Sequence, residues 1–180
     1  MDKKIKIAIS GKSGCGNTTI SKMVSQELGL RFINFTFRSL AEERGLSLED
    51  VLELASKDDS IDRELDTRQV QLARDSVLNE ERGCVLGSRL AIWMLKEADL
   101  KIYLNATAET RAARITNREG GTLKEIAAFT GERDRQDQQR YMRIYNIDTD
   151  DYCFADLIID TDNITPEQIT DIIIEKVKNN

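Results

Sequence analysis

Residues 11–19 read Gly-Lys-Ser-Gly-Cys-Gly-Asn-Thr-Thr, and no other stretch of the chain is so specific in its chemistry. Three glycines in six positions permit positive φ and close approach of backbone to a ligand. A loop of this kind between a strand and a helix turns its N–H groups and the helix N-terminus toward one point, where an anion is stabilised. The pattern Gly-x-x-x-x-Gly-Lys-Ser/Thr is met at Gly11, Gly16 and Thr18. It fails at Asn17, which stands where the lysine belongs. Gly11, Lys12, Ser13, Gly14, Cys15, Gly16, Asn17, Thr18 and Thr19 therefore read as a loop for nucleotide phosphates. Thr18 is the candidate Mg²⁺ ligand, Thr19 the support for an α-phosphate, and Lys12 a candidate source of the missing cation.

Arginine is the second reactive signal. Seven of the fifteen arginines lie between Arg111 and Arg143. Arg111, Arg114 and Arg118 share one helical face, and Arg133, Asp137 and Arg140 share a face of the following helix. The two faces flank Glu119-Gly120-Gly121-Thr122, which gives a helix–loop–helix lid. Charged helices are ordinarily solvated surface laced with ion pairs. Beside a phosphate loop they gain a task, because phosphoryl transfer spreads charge that fixed arginines stabilise.

Composition narrows the chemistry further. The chain has no histidine, which excludes Ser-His-Asp and Cys-His mechanisms and zinc sites that need imidazole. Cys15, Cys84 and Cys153 are widely spaced and odd in number, the usage expected of a reducing cytoplasm without a disulfide framework. The net charge of −6 and the lack of clustered aromatics argue against an RNA- or DNA-binding module. At 180 residues, 40% hydrophobic and 32% charged, the chain is expected to form one globular domain. No apolar run reaches the ~20 residues of a membrane span, and the N-terminal residues read as a strand feeding a loop, with no signal peptide.

These groups need a scaffold. Short apolar runs at Ile5–Ile9, Arg31–Phe35, Cys84–Leu86, Leu100–Leu104 and Leu157–Ile159 read as strands. Helical patterns lie between them, at about Thr18–Leu28, Thr36–Arg44, Leu48–Leu54, Asp59–Asn79, Leu90–Lys96, Ala108–Arg118 and Leu123–Tyr145. A last helix opens at Pro166 with Thr165 as its cap. The alternation is that of an α/β fold, a parallel sheet covered by helices.

With these motifs in place the sequence resembles the nucleoside monophosphate kinases, and most closely the archaeal-type branch of the cytidylate kinases. The likeness runs through nearly the whole chain. It includes Gly11–Thr19, Phe37-Arg38, Ile61-Asp62-Arg63-Glu64, Asp66-Thr67-Arg68-Gln69, Gly87-Ser88-Arg89-Leu90 and Arg140-Tyr141-Met142-Arg143. Members of that branch tend to lack the loop lysine too. The resemblance implies a single P-loop kinase domain over residues 1–180 with a five-stranded parallel sheet. It also implies an acceptor-binding insert over about 36–80 and a lid over about 114–136. The implied reaction moves the γ-phosphate of ATP to CMP or dCMP with Mg²⁺, in a cytoplasmic monomer. Arg38 would hold the acceptor phosphate, and Arg68 and Gln69 would line the acceptor pocket. Arg89 would contact acceptor phosphate or base, and Arg133, Asp137 and Arg140 would bind acceptor nucleotide and reaction-centre phosphates. Lys12, Arg114 and Arg118 are the candidates for the charge missing at Asn17.

Two departures touch the base. Asn34-Phe35-Thr36 replaces a small-residue segment, and Leu86-Gly87-Ser88-Arg89 replaces a Glu-Gly-Arg run. Cytosine differs from uracil at its exocyclic amine, so a carboxylate or an equivalent acceptor is expected to read it. Two other readings stay open at this point: a P-loop kinase for another small acceptor, and a nucleotide-binding regulatory protein that has lost turnover.

Overall fold

The computed structural model describes residues 4–78 and 82–179. Five parallel strands form one sheet: β1 (Ile5–Ser10), β2 (Arg31–Ile33), β3 (Gly83–Gly87), β4 (Leu100–Asn105) and β5 (Leu157–Asp160), in the order β2-β3-β1-β4-β5. Strand β1 pairs with β3 on one side (Ile7 opposite Val85) and with β4 on the other (Ile9 opposite Ile102). Both faces of these strands are covered, which is why Ile7, Ala8, Ile9, Val85 and Leu86 form unbroken apolar runs with no measurable exposure.

The helices divide between the two faces. Helices α1 (Asn17–Leu28) and α8 (Pro166–Lys178) bury Ile20, Val24, Ile169 and Ile173 against one. Helix α4 (Asp59–Leu78) and the single turn α5 (Ala91–Met94) bury Val70, Ala73, Ala91 and Ile92 against the other. A separate small core of Phe35, Leu40, Val51, Ile61 and Leu65 ties α2 (Phe37–Arg44) and α3 (Leu48–Lys57) to α4. Helices α6 (Ala108–Glu119) and α7 (Leu123–Tyr145) form an antiparallel pair joined across Gly120-Gly121-Thr122. Thr122 caps α7 reciprocally with Glu125.

Two elements are shorter than their patterns indicate. Strand β2 stops at Ile33 instead of Phe35 because the chain turns there to present its backbone to α4, and Gln69 donates to the Phe35 carbonyl at 2.8 Å. The Leu90–Lys96 pattern yields only Ala91–Met94, since its apolar side chains are fixed by the sheet and its flanks are tied down as turns. The expected end of α4 at Asn79, and the residue 80 bound of the acceptor insert, lie outside the described residues.

Candidate active site

The order of the sheet changes direction at β1, and open parallel sheets hold ligands beyond the strand C-termini at such a point. A cleft of about 1110 Å³ lies there. Residues 12–19 line it together with residues 34–37 and one face of α4, and α6 and α7 contribute further side chains.

The loop owes its shape to backbone freedom at two positions. Gly14 has φ 87° and Gly16 φ 99°. A Cβ on Gly14 would lie 2.9 Å from the Arg111 Cβ and 3.0 Å from its backbone, so α6 rests directly on the loop. Thr18 and Thr19 lie exposed in the first turn of α1, where the N–H groups have no helical partners. Cys15 is buried, and desolvation pushes its thiol up to about 11, so it is a packing residue and no nucleophile. Gly11 does not line the cleft; it closes the loop from beneath, where a Cβ would meet the Leu104 carbonyl at 2.5 Å.

Asn17 does not point out of the loop as a ligand. Its Nδ2 donates to the Gly11 carbonyl at 2.6 Å, lacing the loop closed, and its Oδ1 is buried without a partner. The three candidates for the missing charge all line the cleft, and each is engaged. Lys12 Nζ lies 2.8 Å from Asp150 Oδ1. Arg114 donates to Thr161 Oγ1 at 3.0 Å and to the Gly14 carbonyl at 3.4 Å. Arg118 pairs with its neighbour Glu119 at the surface. Arg111, which the spacing put on the same face without a role, is the most buried of the group. Its Nη2 lies 2.7 Å from Asp134, and its Nη1 donates to the Ser13 carbonyl at 3.1 Å. The α6–α7 pair is thus anchored to the loop through Arg111 and Arg114.

Across the cleft from the loop lies a chain of alternating charge. Arg89 pairs with Asp137 Oδ2, Asp137 Oδ1 accepts from Arg140 at 2.9 Å, and Arg140 Nε lies 3.5 Å from Asp62 Oδ1. Ser10 fixes the base of this chain, donating to the Ser88 carbonyl at 2.9 Å and accepting from Ile92 N–H at 3.1 Å. Arg133 lines the cleft with no ion pair among the described residues. Partial desolvation and then the nearby Arg89 guanidinium push its pKa down, a setting that an anionic ligand would relieve.

Gln69 lies in the cleft wall and braces residue 35. Arg38 and Arg68 do not line the cleft. Arg38 is exposed at the start of α2, and Arg68 faces Glu43 at 3.4 Å because its place on α4 turns it toward α2. The sequence reading assigned no role to Asp62, Asp66, Phe35, Phe37 or Tyr141, all of which line the cleft. Asp62 and Asp66 carried a visible signal: with Gln69 they fall at i, i+4 and i+7 on one helical face.

The Cytidylate kinase-like family model matches residues 6–163. Cytidylate kinase 2 of Borreliella burgdorferi is 46% identical over 177 residues, covering 96% of this chain and 95% of the relative. Cytidylate kinase of Pyrococcus horikoshii is 40% identical over 172 residues, covering 94% and 86%. Among solved structures, shikimate kinase from Bacteroides thetaiotaomicron superposes with a TM-score of 0.62 at 18% identity, over 97% of this chain and 98% of that one. This last likeness is one of fold and adds the P-loop kinase architecture.

Proposed function

The chain belongs to the cytidylate kinase-like family, and from that premise we propose that it transfers the γ-phosphoryl group of ATP to CMP and dCMP, giving ADP with CDP or dCDP. The observation that carries this reading is the continuity of one cleft from the phosphate loop to the face of Arg89, Arg133, Asp137 and Arg140. Donor and acceptor phosphates can meet there with cations around them.

The loop amides from Lys12 to Thr19 hold the donor phosphates. Arg89, Arg133 and Arg140 hold the acceptor phosphate and stabilise charge on the transferring group, and Asp137 keeps Arg89 and Arg140 in position. Such a reaction depends on placement and on fixed charge more than on a covalent step. The Thr18 hydroxyl fits a hard cation, since it is exposed at the helix start and makes no hydrogen bond within the protein among the described residues. Mg²⁺ there would take its remaining ligands from phosphate oxygens and water and would neutralise charge on the donor.

In this reading α2–α4, about residues 36–80, form the acceptor insert and residues 114–136 the lid. Each chain supplies both sides of its cleft, so a monomer suffices. A cytoplasmic location accords with ATP as the donor. Among the described residues no helix is long and apolar enough to cross a membrane. Two of the three cysteines, Cys15 and Cys84, are buried as thiols. The test is a coupled ADP-release assay with ATP, Mg²⁺ and a panel of CMP, dCMP, UMP, AMP and GMP. CMP and dCMP are expected to be the best acceptors, and equal or faster turnover with UMP or AMP would refute the reading.

A further inference from the structure

Four carboxylates line the cleft: Asp62, Asp66, Glu132 and Asp137. Three are committed. Asp137 accepts from Arg89 on one oxygen and from Arg140 on the other. Glu132 is held by Arg135 and Gln136 on its own helix. Asp62, 3% exposed, lies against Arg140, and its Oδ2 is buried without a partner. Its place is to hold the arginine.

Asp66 is different. It is 7% exposed, on the α4 face that also carries Asp62, Leu65 and Gln69 into the cleft. Tyr145 donates to its Oδ2 at 2.6 Å, which fixes the carboxyl plane. Its second oxygen has no hydrogen bond within the protein among the described residues, and no cation pairs with it directly. The same cleft is lined by Phe35 and Phe37, apolar rings packed with Leu65, the residue before Asp66, and Gln69 on the same α4 face grips the Phe35 carbonyl. A buried carboxyl that lacks a cation costs stability, and packing alone would be served better by an uncharged residue.

We propose that Asp66 determines the acceptor base: the carboxylate oxygen that Tyr145 leaves open accepts a hydrogen bond from the 4-amino group of cytosine, stacked among Phe35, Phe37 and Leu65. Uracil presents a carbonyl oxygen at that position, and two acceptors would then face each other. Tyr145 and Asp62 are positioning residues, the first for Asp66 and the second for Arg140. Burial raises the pKa of Asp66, as expected for a carboxyl kept in a dry pocket to meet a ligand. The inference rests on the reading of the acceptor as a cytidine nucleotide and adds the group that selects it.

The experiment measures kcat/KM for CMP, dCMP and UMP with the wild-type chain, Asp66→Asn, Tyr145→Phe and Asp62→Asn, together with calorimetric binding of CMP and UMP. Asp66→Asn keeps the shape and an acceptor for Tyr145, and its side-chain amide can donate to uracil. The CMP-to-UMP ratio is expected to fall about 30-fold or more in Asp66→Asn, mostly through KM. It should fall by a smaller factor in Tyr145→Phe, and hold steady in Asp62→Asn while both acceptors lose rate. Calorimetry should show the same order without turnover. A proportional loss for CMP and UMP in Asp66→Asn would overturn the proposal, as would an unchanged ratio. A loss for CMP that spares dCMP would assign Asp66 to the ribose and overturn it too. Failure of the wild-type chain to phosphorylate CMP would overturn the underlying reaction, and the wild-type arm shows that separately.

Discussion

Replacing Asp66 with Asn should make the protein more stable at neutral and alkaline pH. Desolvation is the main reason its carboxyl titrates high; the Asp62 charge adds to this and the Tyr145 hydrogen bond offsets part of it. Together these push it from 3.8 up to about 6. The folded state therefore binds this proton more tightly than the unfolded chain does. Stability from this group is fully present below about pH 4 and is lost as pH rises through 6. A shift of ~2 pKa units corresponds to ~3 kcal/mol at pH 8, at about 1.4 kcal/mol per unit. Asn is neutral throughout and still accepts from Tyr145.

The variant and the wild-type chain should thus unfold alike near pH 4 and diverge to about 2–3 kcal/mol by pH 8. For a chain of this size that is a rise in Tm of roughly 5–10 °C. Urea unfolding at pH 4, 5, 6, 7 and 8 measures the difference as a shift in midpoint at constant slope. A pH-independent difference, or a variant less stable than wild type at pH 8, would refute the burial argument. The same substitution is the one expected to erode base selection. Stability gained where selectivity is lost is the trade-off expected of a group kept for a ligand.

Three further outcomes follow from the site. Arg133→Ala should lower kcat about a hundredfold with little change in Tm, because the side chain has no ion pair among the described residues to lose; a wild-type kcat would remove it from the reaction centre. Arg140→Ala should lower kcat similarly and also cost roughly 2–3 kcal/mol in urea unfolding, since it strands the buried Asp62; unchanged stability would show that the pair is not formed. Asp150→Asn should free Lys12 for the phosphates and lower the KM for ATP about two- to fivefold with a stability change below ~1 kcal/mol. A raised or unchanged KM would show that Lys12 does not supply the charge absent at Asn17.

The scaffold was legible because its signals are local. A parallel strand buried on both faces must be apolar throughout, and β1, β3 and β4 are. Caps at Thr122 and Thr165 start helices by hydrogen bonds within four residues, so α7 and α8 begin where the pattern puts them. The errors arise where tertiary contacts override the pattern. Phe35 has the composition of a strand residue, but its carbonyl is claimed by Gln69, thirty-four positions away.

The same distinction sorts the site. Helical spacing identified the arginine faces, because three or four residues fix which side chains lie together. It could not say what a face meets. Arg111 and Arg114 look alike in sequence to Arg118, yet the first two lie on carbonyls of the phosphate loop while the third stays at the surface. Asp62 and Asp66 sit among Asp59, Arg63 and Glu64, where any charge-pattern argument returns a solvated helix. What buries them is the approach of residues 34–37 and of α7 carrying Arg140 and Tyr145, contacts made across 34 to 79 positions. Asn17 shows the converse. The motif marks it as a missing lysine, a defect in binding, whereas its amide bonds across to Gly11 and holds the loop closed. A phosphate loop has two needs, a fixed ring of amides and a nearby positive charge. In the proposed reaction the residue at the lysine position serves the first, which leaves the second to Arg114, to Arg118 or to Lys12 once it is released from Asp150.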